Sequence, residues 1–201
     1  MKTKEVKEIL NKIDAMDHYT YGHSLRVSEF SKMLAIACGF SDKAVMEIEE
    51  AALLHDCGKL TIPTTILNKP GKLTSEEFSV IRSHAERGVS FLLDNYNSVS
   101  DITLQVVAGH HLAANGTGYG RMIGNTISDA VKIVSIADMF DGIASKRVYR
   151  DTVIPVDKVI DILLVEGKCD PAFLKIFIEK VVPQITIDWM KTDTEALPRI
   201  A

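Results

Sequence analysis

The chain has 201 residues, 46% of them hydrophobic and 25% charged, a composition typical of globular proteins that bury a core. The formal net charge of -4 means that the chain has no overall excess of positive charge, so neither bulk nucleic acid nor an anionic membrane is an expected partner. No apolar run approaches the roughly 20 residues that span a bilayer, and the charged start does not match a signal peptide. The three scattered cysteines are too few for a disulfide framework, which favours a reducing cytoplasm.

Helical periodicity dominates the chain. After a short N-terminal lead, apolar spacing predicts a helix over about 21–38 that ends at Gly39. Ser41 is typical of an N-cap, for a helix that reaches about residue 54. A connector with prolines and a glycine follows, and then Thr74 and Glu77 form the capping box of a helix whose pattern continues to about residue 93.

The second half of the chain is also predicted to be helical, at about 101–111, 126–145, 155–166 and 171–181. The segment AVKIVSIA has the β-branched composition of a strand, but the chain has no second segment of that kind to pair with it. We therefore predict a buried helix there. No repeat or linker divides the chain, so the sequence predicts an all-α protein with a helical lead over 1–18, one domain over 19–185 and a polar tail over 186–201.

The residues able to carry chemistry are histidines and carboxylates spread along these helices. His55 is followed directly by Asp56, and Lys59 lies three residues later, so one helical turn would bring an ammonium beside the carboxylate. Asp138 lies in an apolar run, where a buried carboxylate needs a cation or several hydrogen-bond donors. A carboxylate has two oxygens and can bridge two cations. Asp141, one turn further on, is expected to make hydrogen bonds between helices instead.

The other candidates are single histidines and one pair. His23 has Arg26 on the same helix face, and His84 lies midway along a predicted helix. His110 and His111 stand together at the start of a glycine-rich loop. Taken alone, each has a more ordinary explanation as a hydrogen-bonded core or surface residue, so the individual patterns do not decide between a structural and a metal-binding role.

The order of these residues along the chain resembles the HD-GYP family, the cyclic-dinucleotide branch of the HD metal-dependent phosphohydrolases. The shared order is His23, His55-Asp56-x-Gly58-Lys59, His84, His110-His111 and Asp138. Two further stretches are similar to the family, IPTTILNKPGKLTSEEF and IADMFDGIASKRVYR, and the similarity runs from about residue 19 to 149. The resemblance implies an HD-domain-like helical bundle around a metal centre.

The resemblance also implies two divalent metal ions per chain, bridged by Asp56. The first ion would draw on His23, His55, Asp56 and Asp138, and the second on Asp56, His84, His110 and His111. Some relatives hold a third metal through a glutamate at the position of Tyr19, so two ions are expected here. Iron or manganese is the expected metal, and the ligand types also accept zinc, cobalt or nickel.

The implied reaction is hydrolysis of cyclic di-GMP, or of a related cyclic dinucleotide, to linear pGpG and on to GMP. Two cations supply a nucleophile at neutral pH and neutralise charge on the phosphate. Asp56 and Lys59 are the expected catalytic residues. The expected substrate-binding residues are Lys59, Gly118, Tyr119, Lys146, Arg147 and Arg150. Tyr119 is expected to stack on a guanine or to hydrogen-bond the substrate, while Gly116 and Gly118 permit positive φ and close backbone approach.

Three positions depart from the family's loop, which carries Glu, Asp and Pro where this chain has Leu112, Asn115 and Gly120. Loss of the proline is expected to loosen the loop, and loss of the two carboxylates removes groups that often tune metal affinity. Two alternatives therefore stay open: a catalytically weak cyclic-dinucleotide-binding or interaction module, and an HD phosphohydrolase acting on another nucleotide or phosphate ester. The sequence also leaves open a homodimer or a signalling-protein partner.

Overall fold

The computed structural model describes residues 1–145 and 154–185, and every regular element within them is a helix, so the predicted all-α class is confirmed. The α-helices are α1 (Thr3–Met16), α2 (His18–Ala37), α3 (Asp42–Leu54), α4 (Thr64–Leu67), α5 (Ser75–Arg82), α6 (His84–Asn95), α7 (Asp101–Gly109), α8 (Asp129–Ala144), α9 (Val156–Glu166) and α10 (Pro171–Ile176). A 3-10 helix spans Cys57–Thr61, a π-helical turn spans Phe177–Val181, and a 3-10 turn spans Val182–Gln184. Lys146, Arg147, Arg150 and the predicted tail over 186–201 lie outside the described residues.

Side-chain caps determine where several helices begin. Ser41 accepts a backbone N–H at the start of α3, and Thr74 with Glu77 forms the capping box of α5, as predicted. Helix α2 begins at His18, earlier than predicted, because the Asp17 side chain accepts two backbone N–H groups there.

The single helix predicted from residue 74 to about 93 is wrong, because the chain breaks between α5 and α6 at Ser83. The Ser83 hydroxyl donates to the carbonyl of Val80, and Nδ1 of His84 lies 2.7 Å from the carbonyl oxygen of Ile81. These side-chain bonds occupy carbonyls that a continuous helix would use. His84 therefore starts α6 and is buried, whereas Phe78 of α5 is half exposed.

The apolar core consists of two clusters. The large cluster joins α2, α3, α8, α9 and the α10 region, and in it Phe140 packs edge-on against Phe30 and Phe177. The small cluster joins α1, α3, α6 and α7 and includes the fully buried Leu54 and Leu92. Most of α8 is buried, which confirms AVKIVSIA as a buried helix rather than a strand.

Helix α1 belongs to the small cluster. Its buried side chains are Val6, Ile9, Leu10 and Ile13, a spacing that places them on one helix face. The N-terminal lead therefore shares its core with α3, α6 and α7, while the proposed domain limits at residues 19 and 185 stay predictions. Among the described helices, no segment has both the length and the apolar character needed to cross a bilayer.

Candidate metal centre

Helices α2, α3, α6, α7 and α8 bring polar side chains to one buried point. All of the predicted metal ligands meet there, namely His23, His55, Asp56, His84, His110, His111 and Asp138. Apart from the partly exposed His111, each of them is buried. Burying so many polar groups is costly unless they are paired with each other or with a cation.

Helix ends allow neighbouring residues to point to the same place. Side chains of adjacent residues diverge by about 100° within a helix. Helix α3 ends at Leu54, just before His55 and Asp56, and α7 ends at Gly109, just before His110 and His111. Both adjacent pairs therefore reach the same centre because the helix stops where they begin.

Gly58 allows the 3-10 helix to lie against the start of α6. A Cβ atom at position 58 would lie 1.9 Å from the carbonyl oxygen of His84 and 2.6 Å from the nitrogen of Gly88. Only glycine fits such a close backbone approach. The contact brings Oδ1 of Asp56 to 3.3 Å from Nε2 of His84.

Four of the imidazoles are oriented by a hydrogen bond at Nδ1. The acceptors are the carbonyl of Ala52 for His55, of Ile81 for His84, of Val106 for His110, and the carboxylate of Asp141 for His23. Fixing one ring nitrogen in this way leaves Nε2 for a ligand, the arrangement usual for metal-binding histidines. Nε2 of His55 is buried and has no hydrogen-bond partner within residues 1–145 and 154–185, so a cation would satisfy it.

Asp56 lies in the middle of this arrangement. Its Oδ1 is 3.3 Å from Nε2 of His84 and 4.0 Å from Nε2 of His110. Its Oδ2 is 3.3 Å from Nε2 of His55 and 3.8 Å from Nε2 of His23. Each carboxylate oxygen thus faces a different pair of imidazoles, which is the geometry of a carboxylate able to bridge two cations.

The ligand atoms form groups close enough to hold a metal ion. Two groups, His84 with His110 and His111, and His23 with His55 and Asp138, each have their ligand atoms within 4.8 Å of one another. A third group of His55, Asp56 and His110 overlaps both. The chain therefore contains histidine and aspartate groups that could bind a divalent metal, and the assignment of each residue to one of two ions stays a prediction.

The electrostatics of the centre suit metal binding at neutral pH. Burial lowers the pKa of His110 well below its ordinary value and lowers the pKa of His111 to about 4, so both rings are neutral and have a lone pair to offer. Burial by itself would raise the pKa of Asp56, but Lys59, 2.6 Å away, and the imidazoles hold it well below its usual range. Neutral imidazoles and ionised carboxylates are the forms that bind metals.

His23 is the exception among the buried histidines. Burial lowers its pKa, but hydrogen bonds to Asp138 and Asp141 outweigh this and raise the pKa to about 9. Asp141 also accepts from Nε of Arg26 at 2.6 Å and from the hydroxyl of Ser145 at 2.8 Å. The predicted role of Asp141 in joining helices is confirmed. Arg26 was noted only for sharing a face with His23, and its contact with Asp141 was missed.

The glycine-rich loop lies against His111. The ring of Tyr119 lies 4.3 Å from the His111 ring, at an interplanar angle of 31°. A Cβ at Gly118 would lie 2.1 Å from the carbonyl oxygen of His111, and Gly116 has a φ of +77°, as expected of these glycines. The guanidinium carbon of Arg82 is 4.3 Å from the centroid of the Tyr119 ring. Arg82 was not predicted, because no local pattern connects α5 to this loop.

Two of the three departures from the family's loop have local structural explanations. The third, Leu112, is half-buried beside His110 and His111, and nothing in its surroundings explains the change. The Asn115 amide donates to the carbonyl of Glu166 at 3.0 Å. Gly120 has a φ of +107°, far from the value of about −65° that proline imposes.

Comparison with known proteins agrees with this geometry. A family model described as HD domain matches residues 8–172. The 3'3'-cGAMP-specific phosphodiesterase 3 of Vibrio cholerae is 39% identical over 153 residues, covering 75% of this chain and 32% of that protein. A cyclic di-GMP phosphodiesterase of Thermotoga maritima is 38% identical over 149 residues, covering 73% of this chain and 40% of that protein. The chain thus spans less than half the length of these curated relatives.

The fold is also that of a solved structure. The HD domain of the L. monocytogenes phosphodiesterase PgpH, crystallised in complex with cyclic-di-AMP, superposes with a TM-score of 0.66 at 19% identity. The match covers 88% of this chain and 94% of that one. The ordered motifs and the matched family model together confirm the resemblance to HD-GYP proteins. The chain belongs to the HD domain family.

Proposed function

We propose that this chain is a metal-dependent phosphodiesterase that hydrolyses cyclic di-GMP, or a related cyclic dinucleotide, to linear pGpG and on to GMP. The observation that carries this function is the pair of ligand groups on either side of Asp56, with the Lys59 ammonium 2.6 Å from that carboxylate. The two relatives, a 3'3'-cGAMP-specific phosphodiesterase and a cyclic di-GMP phosphodiesterase, support the substrate class. The cyclic-di-AMP complex of the structural neighbour agrees with it.

Two divalent ions per chain fit the donor set. The first would be held by His23, His55, Asp56 and Asp138, and the second by Asp56, His84, His110 and His111. Imidazole and carboxylate ligands suit iron or manganese, our proposed metals, and also accept zinc, cobalt or nickel. When bound, such ions supply a nucleophile at neutral pH and neutralise the charge that gathers on the phosphate.

Among the positively charged side chains of residues 1–145 and 154–185, Lys59 is the one best placed to bind a substrate phosphate. Its side chain is 21% exposed, while its Nζ atom contacts the buried Asp56. An ammonium has three donors, so Lys59 can bond the carboxylate and still donate to a phosphate oxygen. The proposed contacts from Lys146, Arg147 and Arg150 concern residues outside the described part of the chain, and they stay predictions from the sequence.

Tyr119 is proposed to meet the substrate through its hydroxyl rather than its ring face. Its ring already contacts His111 and Arg82, which occupies surface that a guanine would need for stacking. Burial raises the pKa of the Tyr119 hydroxyl above its ordinary value, so the group keeps its proton and can donate a hydrogen bond.

The experiment combines metal analysis with turnover of cyclic di-GMP by anaerobically purified, metal-loaded protein. His55→Ala and Asp56→Ala are expected to lose most of the metal and to reduce turnover by at least about a hundredfold, since even residues behind the ligands are worth about 10- to 100-fold. His18→Ala is the matched control, because His18 is exposed at the start of α2 and should keep both metal and activity.

The alternatives from the sequence give distinct results in the same assay. A metal-loaded wild-type protein that binds cyclic dinucleotides without cleaving any of them would be a binding module. A protein that cleaves only mononucleotides or simple phosphate esters would be a different HD phosphohydrolase. Either result would contradict the proposed function.

A further inference from the structure

The loop over residues 112–120, called the site loop below, is held from one side by Arg82. This arginine ends α5, and its guanidinium carbon lies 4.3 Å from the centroid of the Tyr119 ring. A guanidinium over an aromatic face is attracted by the ring and also stacks on it. The same ring lies 4.3 Å from His111, whose carbonyl oxygen accepts the N–H of Tyr119 at 3.0 Å. Arg82 therefore contacts a loop residue whose ring packs against the candidate ligand His111.

The other side of the site loop is held by Asn115. Its Nδ2 donates to the carbonyl of Glu166 at 3.0 Å, and its Oδ1 accepts from the backbone of Thr117 at 3.1 Å. The N–H of Ala114 adds a bond of 2.7 Å to the carbonyl of Lys168. The bonds to Glu166 and Lys168 connect the loop to the end of α9 and to the segment just after it. An aspartate at position 115 could replace the acceptor but not the donor, because an ionised carboxylate has no hydrogen to give.

We propose that Arg82 and Asn115 are positioning residues that hold the site loop over the metal centre before the substrate binds. A loop that is already ordered does not lose its conformational freedom on binding, so the substrate binds more tightly. Because neither residue contacts the reacting atoms, the effect is expected in KM and not in kcat. The expectation for turnover rests on the proposed function, whereas the expectation for loop order does not.

The first measurement is hydrogen–deuterium exchange of the metal-loaded protein without substrate. In Arg82→Gln and in Asn115→Asp, amides of residues 112–120 are expected to exchange roughly threefold to fivefold faster, the effect of losing one contact of this strength. The matched controls are Arg121→Gln and Asn125→Asp, which make the same chemical changes at exposed positions beside the loop. The controls are expected to exchange as the wild type does.

The second measurement separates positioning from general damage. KM for cyclic di-GMP is expected to rise roughly threefold to fivefold in both variants, while kcat changes less than about twofold and the metal content stays at the wild-type value. Arg82→Lys is expected to recover part of the wild-type KM, because an ammonium keeps the attraction to the ring but not the planar stacking.

The results distinguish this inference from the proposed function. The positioning role would be overturned if amide exchange of residues 112–120 were unchanged in both variants, or if either variant lost metal. This holds for any turnover that the variants show. Faster exchange together with a wild-type protein that cleaves no cyclic dinucleotide would support the positioning role and contradict the proposed function.

Discussion

The buried side chain of Asp141 has two structural roles. It accepts hydrogen bonds from Arg26 and Ser145, and it fixes Nδ1 of His23 at 2.7 Å. With Nδ1 held in this way, Nε2 of His23 lies 3.0 Å from Asp138. Burial by itself would raise the pKa of Asp141, but the bonds from His23 and Arg26 hold it below its ordinary range, so the carboxylate stays ionised.

Replacement of Asp141 by Asn is expected to affect both stability and metal binding. Asp141→Asn removes the buried carboxylate that Arg26 contacts at 2.6 Å, so the free energy of unfolding should fall by about 3 kcal/mol in a denaturant titration. Metal affinity should fall about 10- to 100-fold, since His23 loses the group that orients it. Asp161→Asn, at an exposed position of α9, is the control and should change stability by about 0.5 kcal/mol or less. Equal stability of the two variants would contradict this role.

At the scale of an element, the site loop shows how a changed sequence can keep a defined backbone. Its end at Gly120 has a φ of +107°, and a Cβ there would lie 2.6 Å from the carbonyl oxygen of Ala108. The same carbonyl accepts the N–H of Arg121 at 2.9 Å. The family's proline does not fit this backbone, so its absence is part of the local structure.

Restoring the family's proline is therefore expected to weaken the protein. Gly120→Pro should lower the free energy of unfolding by about 2 kcal/mol or more and should not increase turnover of cyclic di-GMP. Gly124→Ala is a useful comparison, because Gly124 also has a positive φ but no atom within 4 Å of an added Cβ. Gly120→Ala should lower the melting temperature more than Gly124→Ala does. Higher stability or activity of Gly120→Pro would show that the loop has another conformation in solution.

At the scale of the whole molecule, the centre where five helices meet makes stability depend on pH and on metal. In the absence of a metal, burial lowers the pKa values of His84 and His110 below their ordinary range and lowers the pKa of His111 to about 4. Their contribution to stability is complete above the unfolded pKa of 6.5 and falls as the pH drops below it, in the case of His111 down to its pKa of about 4. The raised pKa of His23, about 9, acts in the opposite direction, and its contribution is complete below 6.5 and lost as the pH rises toward 9.

Metal-depleted protein is therefore expected to be most stable near a pH of about 6.5 and to lose stability on both sides. Metal-loaded protein should be more stable at neutral pH, and its loss on the acidic side should be steeper, because protons then compete with the metal for the imidazoles. Denaturant midpoints measured across this range, with and without a chelator, test both expectations. A metal-depleted protein whose midpoint rises between about pH 6.5 and 5 would contradict the assignment of these histidines as buried neutral groups.

The sequence alone allowed the prediction of the all-α class, of the caps at Ser41 and Thr74, and of the residues that meet at the centre. Caps and helical periodicity are local properties, so a few neighbouring residues reveal them. The candidate ligands could be selected because their order along the chain matched a family pattern, whereas each histidine alone was ambiguous. The break at Ser83 was missed, since side-chain bonds to carbonyls three residues back compete with the helix without changing its apolar periodicity.

Amino-acid order by itself therefore determined which residues are candidates for the metal centre and, apart from the break at Ser83, which segments are helical. Only the tertiary structure decided how those residues are supported: Gly58 against α6, Asp141 between Arg26 and His23, and Arg82 on Tyr119. Each of these contacts joins segments far apart in the chain, and its energy depends on distance and burial that no local pattern contains. Local propensity and spacing are encoded in neighbouring residues, whereas contacts of this kind exist only after the helices have packed.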